Sequence, residues 1–252
     1  MNEKKTRFIA IRNEALLDGK LRSIDKYLLM ILERRKLLST KNNNLYTVEI
    51  RSKKLKELSL ISDGRTLIKS LDILRVNNYI DYSLDISKKN GKEILPKSCK
   101  IIITIDCSPP FVLVDGEMFD KISTLDTGSK KPYNIMVLYY FLEYNHNVYH
   151  GGFQGVSSPS RNEIHNIVMI SGGDLTKYIK LMHNNMICEY FQGTFYDGNK
   201  KTRNRYLPNT IMHKQGEQFI GCNKRRYILH KKREYFLFDN SNVKDVDIDN
   251  SR

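Results

Sequence analysis

Tryptophan is absent from this chain, and its four cysteines (Cys99, Cys107, Cys188 and Cys222) are scattered without a C-x-x-C pair. That scatter suggests no disulfide framework, so the thiols are expected to be reduced, in a cytoplasmic protein. No apolar run approaches the ~18 to 20 residues of a membrane span. The opening MNEKKTRF leads into a short strand-like run and not an apolar leader core, so no secretory signal is expected. Basic amphipathic helices and lipidation motifs are missing too, which leaves no basis for a membrane partner. Gly151-Gly152 and Gly172-Gly173 lack the Gly-Lys-Ser/Thr that would make a phosphate-binding loop. No His-x-His occurs, and His146 and His150 have no nearby carboxylate or cysteine to complete a metal set. The expectation is therefore a non-enzyme with no cofactor and no metal.

What the chain has in excess is positive charge. Forty-two Lys and Arg against 28 Asp and Glu leave +14 over 252 residues, a balance that favours a polyanionic partner. Hydrophobic residues make up 40%, enough for one large or two small cores.

The segment 62–82, SDGRTLIKSLDILRVNNYIDY, reads as a turn, a helix and a strand. Leu67, Leu71 and Leu74 recur at one helical face, while Arg65, Thr66, Lys69 and Ser70 are expected on the other, all able to donate hydrogen bonds. An upstream helix is expected from an N-cap at Ser23 to about Leu37, with Ile24, Leu28, Ile31 and Leu32 inward. A second, brief helix follows Ser52, with Leu55 and Leu58 inward. Asn78 is expected to close the third helix, because Asn tolerates left-handed geometry better than other non-glycine residues. Ile80 to Ile86 and Ser98 to Ile105 read as paired strands. The turn between them, around Asn90-Gly91, carries Lys88, Lys89 and Lys92. Pro109-Pro110 then marks a stiff boundary.

The second half repeats this order. FVLVDGEMF from Phe111 matches FIAIRNEAL from Phe8. Residues 133–144 supply an apolar helix, residues 160–169 a short one, and residues 174–190 restate 62–82. Asn184-Asn185-Met186-Ile187 is aligned with Asn77-Asn78-Tyr79-Ile80. In this copy Leu175, Tyr178 and Leu181 or Met182 are expected inward, with Thr176, Lys177 and Lys180 outward. A second basic hairpin is expected around Lys200 and Lys201, with Arg203 and Arg205 on the returning strand.

Three helices closed by a basic hairpin, twice, imply an α+β fold of two winged-helix domains in tandem. The expected boundaries are 1–106 and 107–212, followed by a basic extension with a polar tail over 213–252. RTLIKSLDILRVNNYI resembles the third helix and strand entry of bacterial winged-helix proteins, with Asn78 and Asn185 where that pattern has Gly. FIAIRNEALLDGKLRSIDKYLLMILERR resembles the start of replication initiators from low-GC Gram-positive plasmids and phages. The resemblance implies double-stranded DNA at origin repeats as ligand, with a homodimer and host replication proteins as further partners. A transcriptional regulator or partition-type adaptor, or a protein-interaction scaffold, are the alternative readings.

Within that frame, lysines on the hairpins are expected at phosphates and the third helix at base edges. Arg65 suits guanine readout through its fork; capping its own helix or binding phosphate are the alternatives. Lys224, Arg225 and Arg226 open the densest basic run. It is open to three readings: a further DNA contact, a minor-groove arm, or a solvated face around Ile228 and Leu229.

Overall fold

The structure, a computed structural model, describes residues 8–35, 45–84, 87–89, 92–94, 99–106, 108–127, 132–148, 159–191, 195–197, 200–202, 205–208, 227–230 and 233–236. It is a mixed α+β protein with small antiparallel sheets. The chain forms two compact units, residues 1–140 with 167–169, and residues 141–166 with 170–252.

The first unit begins with β1 (Phe8–Arg12), α1 (Asn13–Leu17) and α2 (Ser23–Arg34). Strand β2 (Leu45–Arg51), α3 (Ser52–Ser59), α4 (Gly64–Val76) and β3 (Ile80–Leu84) follow, then the short β4 (Ser87–Lys89) and β5 (Lys92–Ile94), and β6 (Lys100–Asp106). Strand β6 lies between β2 and β3, with Ile80 opposite Ile105 and Ile50 opposite Ile101. Its alternate residues Ile101, Ile103 and Ile105 are buried, as the period-2 pattern of a one-faced sheet requires.

Beyond Pro109-Pro110 come β7 (Phe111–Asp115), α5 (Gly116–Ser123) and α6 (Pro132–Val148). Strand β7 pairs antiparallel with β1, from Phe8 opposite Asp115 to Arg12 opposite Phe111, and buries Ile9, Ile11, Val112 and Val114. The two short strands that start the sequence repeat are thus each other's partner, inside one compact unit. The division between compact units falls within α6, between Tyr140 and Phe141.

Helix α2 is buried along nearly its whole length, which explains why its apolar residues extend beyond one stripe. Tyr27 stacks on Phe119 with ring centroids 6.0 Å apart, and the Arg34 guanidinium lies 5.3 Å over the same ring while gripping the Asp120 carboxylate. From α6, Tyr140 donates to the Ile9 carbonyl at 3.1 Å. Ser23 is the first helical residue, not the cap. The start of α2 is closed instead by Arg22 and Asp25: the Arg22 amide donates to the buried Asp25 carboxylate at 3.0 Å, and its guanidinium donates twice more. Ser23 Oγ instead donates to the Val168 carbonyl at 2.6 Å, and the buried Lys26 ammonium to that of Ile167 at 2.8 Å.

The second unit contains most of α7 (Arg161–Val168), then α8 (Gly172–Asn184) and β8 (Cys188–Phe191). The short strands β9 (Phe195–Asp197), β10 (Lys200–Thr202) and β11 (Arg205–Pro208) come next, then β12 (Tyr227–His230) and β13 (Arg233–Phe236). Strand β8 pairs with β11, β9 with β10, and β12 with β13, so the dense basic run passes into a hairpin.

Element for element, β7-α5-α6-α7-α8-β8-β9-β10-β11 repeats β1-α1-α2-α3-α4-β3-β4-β5-β6, with β2 having no counterpart among the described residues. Helices α4 and α8 end in the same closed turn. The Tyr79 amide donates to the Leu74 carbonyl and the Ile187 amide to that of Met182, the six-to-one bond that closes a helix through a left-handed residue. Asn78 takes that conformation at φ 60, as expected. In the second copy the residue is Met186 at φ 53, not Asn185. Asn185 matches Asn77 instead, and each donates its side-chain amide to the carbonyl four residues back, at 2.8 Å. The alignment of the two asparagine pairs is therefore off by one residue.

Candidate nucleic-acid interface

Helix α4 starts at a cap built by Asp63. Its carboxylate accepts from the Thr66 amide at 2.9 Å and the Thr66 hydroxyl at 2.8 Å, and these bonds hold its pKa below the usual range. Thr66, expected to be available to a ligand, is thereby engaged in its own helix start.

Leu67, Leu71 and Leu74 are buried as the leucine spacing requires, and Ile68 joins them. Ser70 is also buried, with no exposed surface, and its Oγ accepts from the Arg22 guanidinium at 3.2 Å. Its expected place on the outer face is corrected: it lies on the α2 side, three residues from Leu67 and four from Leu74, and ties α4 to the α2 helix start. The outward stripe is Arg65, Lys69, Asp72, Ile73 and Val76, spaced as one helical face. Arg65 and Lys69 are exposed one turn apart, and Val76 is 76% exposed. Along this face lies an open depression of about 410 Å³ lined by Arg65, Lys69, Ile73, Val76 and their neighbours. Beside it, Asp72 accepts from Tyr82 at 2.7 Å and from Arg75 at 2.9 Å, and Arg75 covers the Tyr82 ring at 4.8 Å. The same 3.6-residue count that located the leucines, carried round the helix, would have found Ile73 and Val76.

Strand β5 runs beside α4 and pairs with β4, with Lys88 opposite Glu93 and Lys89 opposite Lys92. The three lysines expected near the hairpin tip therefore occupy its two strands at the tip end.

In the second copy, Ser171 caps α8 by accepting from the Asp174 amide at 3.1 Å. Leu175, Tyr178, Ile179 and Met182 are buried; Met182, rather than Leu181, completes the inward set, and Ile179 joins it. Lys177 and Lys180 are exposed, as expected. Thr176 is half-buried, donating to the Gly172 carbonyl at 3.2 Å and accepting from Arg161 at 3.4 Å. With the helix ends superposed, Lys177 occupies the position of Lys69, and Gly173 that of Arg65. Lys200 stands opposite Asp197 and Lys201 opposite Tyr196 in the β9–β10 hairpin, and Arg205 opens β11 opposite Phe191. Arg203, Lys224, Arg225 and Arg226 lie outside the described residues.

Among the described residues no cluster of His, Cys, Asp and Glu is arranged to hold a metal ion, and no helix is long and apolar enough to cross a membrane. No family model, curated protein or solved structure matches this chain.

Proposed function

We propose that this chain is a sequence-specific double-stranded DNA-binding protein made of two winged-helix copies, 1–106 and 107–212, with an extension over 213–252. On this reading it acts in the cytoplasm as a plasmid or phage replication initiator that binds repeats at an origin, with a second copy and host replication proteins as partners. The observation that carries it is the outer stripe of α4, the second helix of a helix–turn–helix, where Arg65 and Lys69 stand exposed one turn apart. A lysine-bearing hairpin follows that helix, and the same order recurs with Lys177 and Lys180 on α8 and Lys200 and Lys201 in β10.

The physics of the reading is a division of labour. Hairpin lysines meet phosphates and set orientation, while α4 enters the major groove and Arg65 pairs with two guanine acceptors. The test is fluorescence anisotropy on duplex DNA across salt concentrations, followed by footprinting on the replicon that encodes the chain. Binding should fall by roughly 0.9 log unit per phosphate contact for each tenfold rise in salt. A flat salt response refutes the DNA-binding reading. Protection confined to a single promoter palindrome refutes the initiator reading and leaves a regulator.

A further inference from the structure

We propose that the C-terminal half of the α4 outer face, Ile73 and Val76, reads thymine methyl groups, so that the first copy selects a site with guanine at one end and thymine at the other. The inference rests on the DNA-binding reading and goes further by assigning a base to residues that carry no polar group.

The stripe is chemically divided. Arg65 and Lys69 occupy its first half, and Ile73 and Val76 its second, while the Asp72 carboxylate between them is engaged by Arg75 and Tyr82. Little of Val76 is packed: three-quarters of its surface is exposed, in the last position of a helix whose buried apolar residues are Leu67, Ile68, Leu71 and Leu74. A β-branched residue gains nothing as a helix former there, and exposed apolar surface is a cost unless something covers it. Duplex DNA is the occupant that the adjoining charge selects, since Arg65 and Lys69 share the depression with the two apolar side chains. The 5-methyl of thymine is the apolar group that the major groove displays, and aliphatic side chains contact it. Arg65 and Val76 are eleven residues apart, roughly 16 Å along the axis, or about five base pairs at 3.4 Å each. One helix in one groove therefore spans both features.

The second copy lacks the arrangement. Superposition of the helix ends places Leu181 at the position of Ile73 but the exposed Asn184 at that of Val76, beside the loss of Arg65 to Gly173. Thymine selection is thereby assigned to α4 alone.

The test uses the full chain and duplexes selected by it from a random-sequence pool, each then amplified with dTTP or with dUTP. The uracil form differs only by the missing methyls. Each contacted methyl should be worth about fourfold in affinity, the equivalent of ~0.8 kcal/mol for one buried methyl-sized group. The wild type should prefer the thymine form. Val76→Ala, at an exposed position that tolerates truncation, and Ile73→Ala should bring the ratio towards one. Lys69→Ala should lower affinity for both forms equally and keep the ratio. Equal binding of the two forms by the wild type overturns the inference, as does a thymine preference that survives in both Val76→Ala and Ile73→Ala. If the wild type retains no duplex from the pool, the DNA-binding reading itself falls and this inference with it. That result is distinct from tight binding that ignores the methyl.

Discussion

Lys26 offers the sharpest quantitative test of the first unit, because a buried ammonium must leave a mark on the pH dependence of stability. Its side chain has no exposed surface, and its ammonium donates to the Ile167 carbonyl. Burial pushes its pKa down from 10.5 to about 8, against the smaller opposing pull of the Asp18 and Asp25 carboxylates. The folded chain therefore releases this proton near pH 8 while the unfolded chain keeps it to about 10.5. Between those values the unfolded state binds more protons, so stability rises with pH; below pH 8 both states are charged and the contribution is level. Integrating the linkage from pH 7 to 9.5 gives a gain of about 2 kcal/mol. Replacing Lys26 by Met keeps most of the volume and removes the titration. Urea unfolding of both proteins at half-unit steps from pH 7 to 9.5 measures the difference, and comparison with the variant cancels other groups that titrate in that range. The wild type should gain on Lys26→Met by about 2 kcal/mol across the window. Parallel curves would show that the ammonium is hydrated in solution and would refute the burial argument.

The remaining predictions concern the helix ends, the units and the interface. Met186→Asn should stabilise the second unit by roughly 0.5–1 kcal/mol, read from its thermal midpoint, because it puts a residue tolerant of left-handed geometry where an exposed methionine is strained. Asp63→Ala should speed amide exchange in the first turn of α4, and the wild-type advantage should fade as acid titrates the Asp63 carboxylate, whose pKa is held low in the fold. A fragment of residues 1–106 should bind hydrophobic dye and unfold less cooperatively than residues 1–140, since it lacks the β7 partner of β1 and the Phe119 and Asp120 contacts of α2. Ser70→Ala should cost about 1 kcal/mol of stability in urea while leaving the ratio of specific to random DNA binding unchanged, whereas Arg65→Ala should lower that ratio.

The parts of the fold legible in the sequence are those decided within a few residues. Leucine spacing located α4, the turn signal at Asn90-Gly91 between two strand-like runs located β3 and β6, and Asn78 announced the end of its helix through its own backbone tolerance. The misread parts are those where a side chain's polarity was weighed above its position, or where its partner is distant in the chain. Ser70 stands three residues from Leu67 and four from Leu74, so helical spacing already places it on the inner face; its polarity misassigned it, and its partner Arg22 lies forty-eight positions earlier. Ser23 has the chemistry of a cap, but Arg22 and Asp25 close the helix and leave its hydroxyl to the Val168 carbonyl. The pairing of β1 with β7 was equally hidden. FIAIR and FVLVD each look like the opening strand of a separate copy, and strand pattern fixes the buried face but not the partner.

The one-residue error in aligning the asparagine pairs shows why the two copies are not interchangeable. Matching Asn78 to Asn185 by identity puts Thr66 against Gly173 and leaves Arg65 facing Gly172. Matching the closed turns puts Lys69 against Lys177 and Val76 against Asn184, with Gly173 at the place of Arg65. Under the structural register the second helix keeps the lysine and loses both the guanidinium and the valine. A lysine is a point charge that positions on phosphate, whereas a guanidinium fork and an apolar tip discriminate bases. On the DNA-binding reading proposed above, the roles divide accordingly: the first copy is expected to read bases and the second to add affinity with little preference. Lys177→Ala should therefore weaken specific and random duplexes by similar factors and lower the salt slope by about 0.9, the value of one phosphate contact. A loss confined to the specific duplex would show that α8 reads bases and that charge, not helix chemistry, misassigned the two halves.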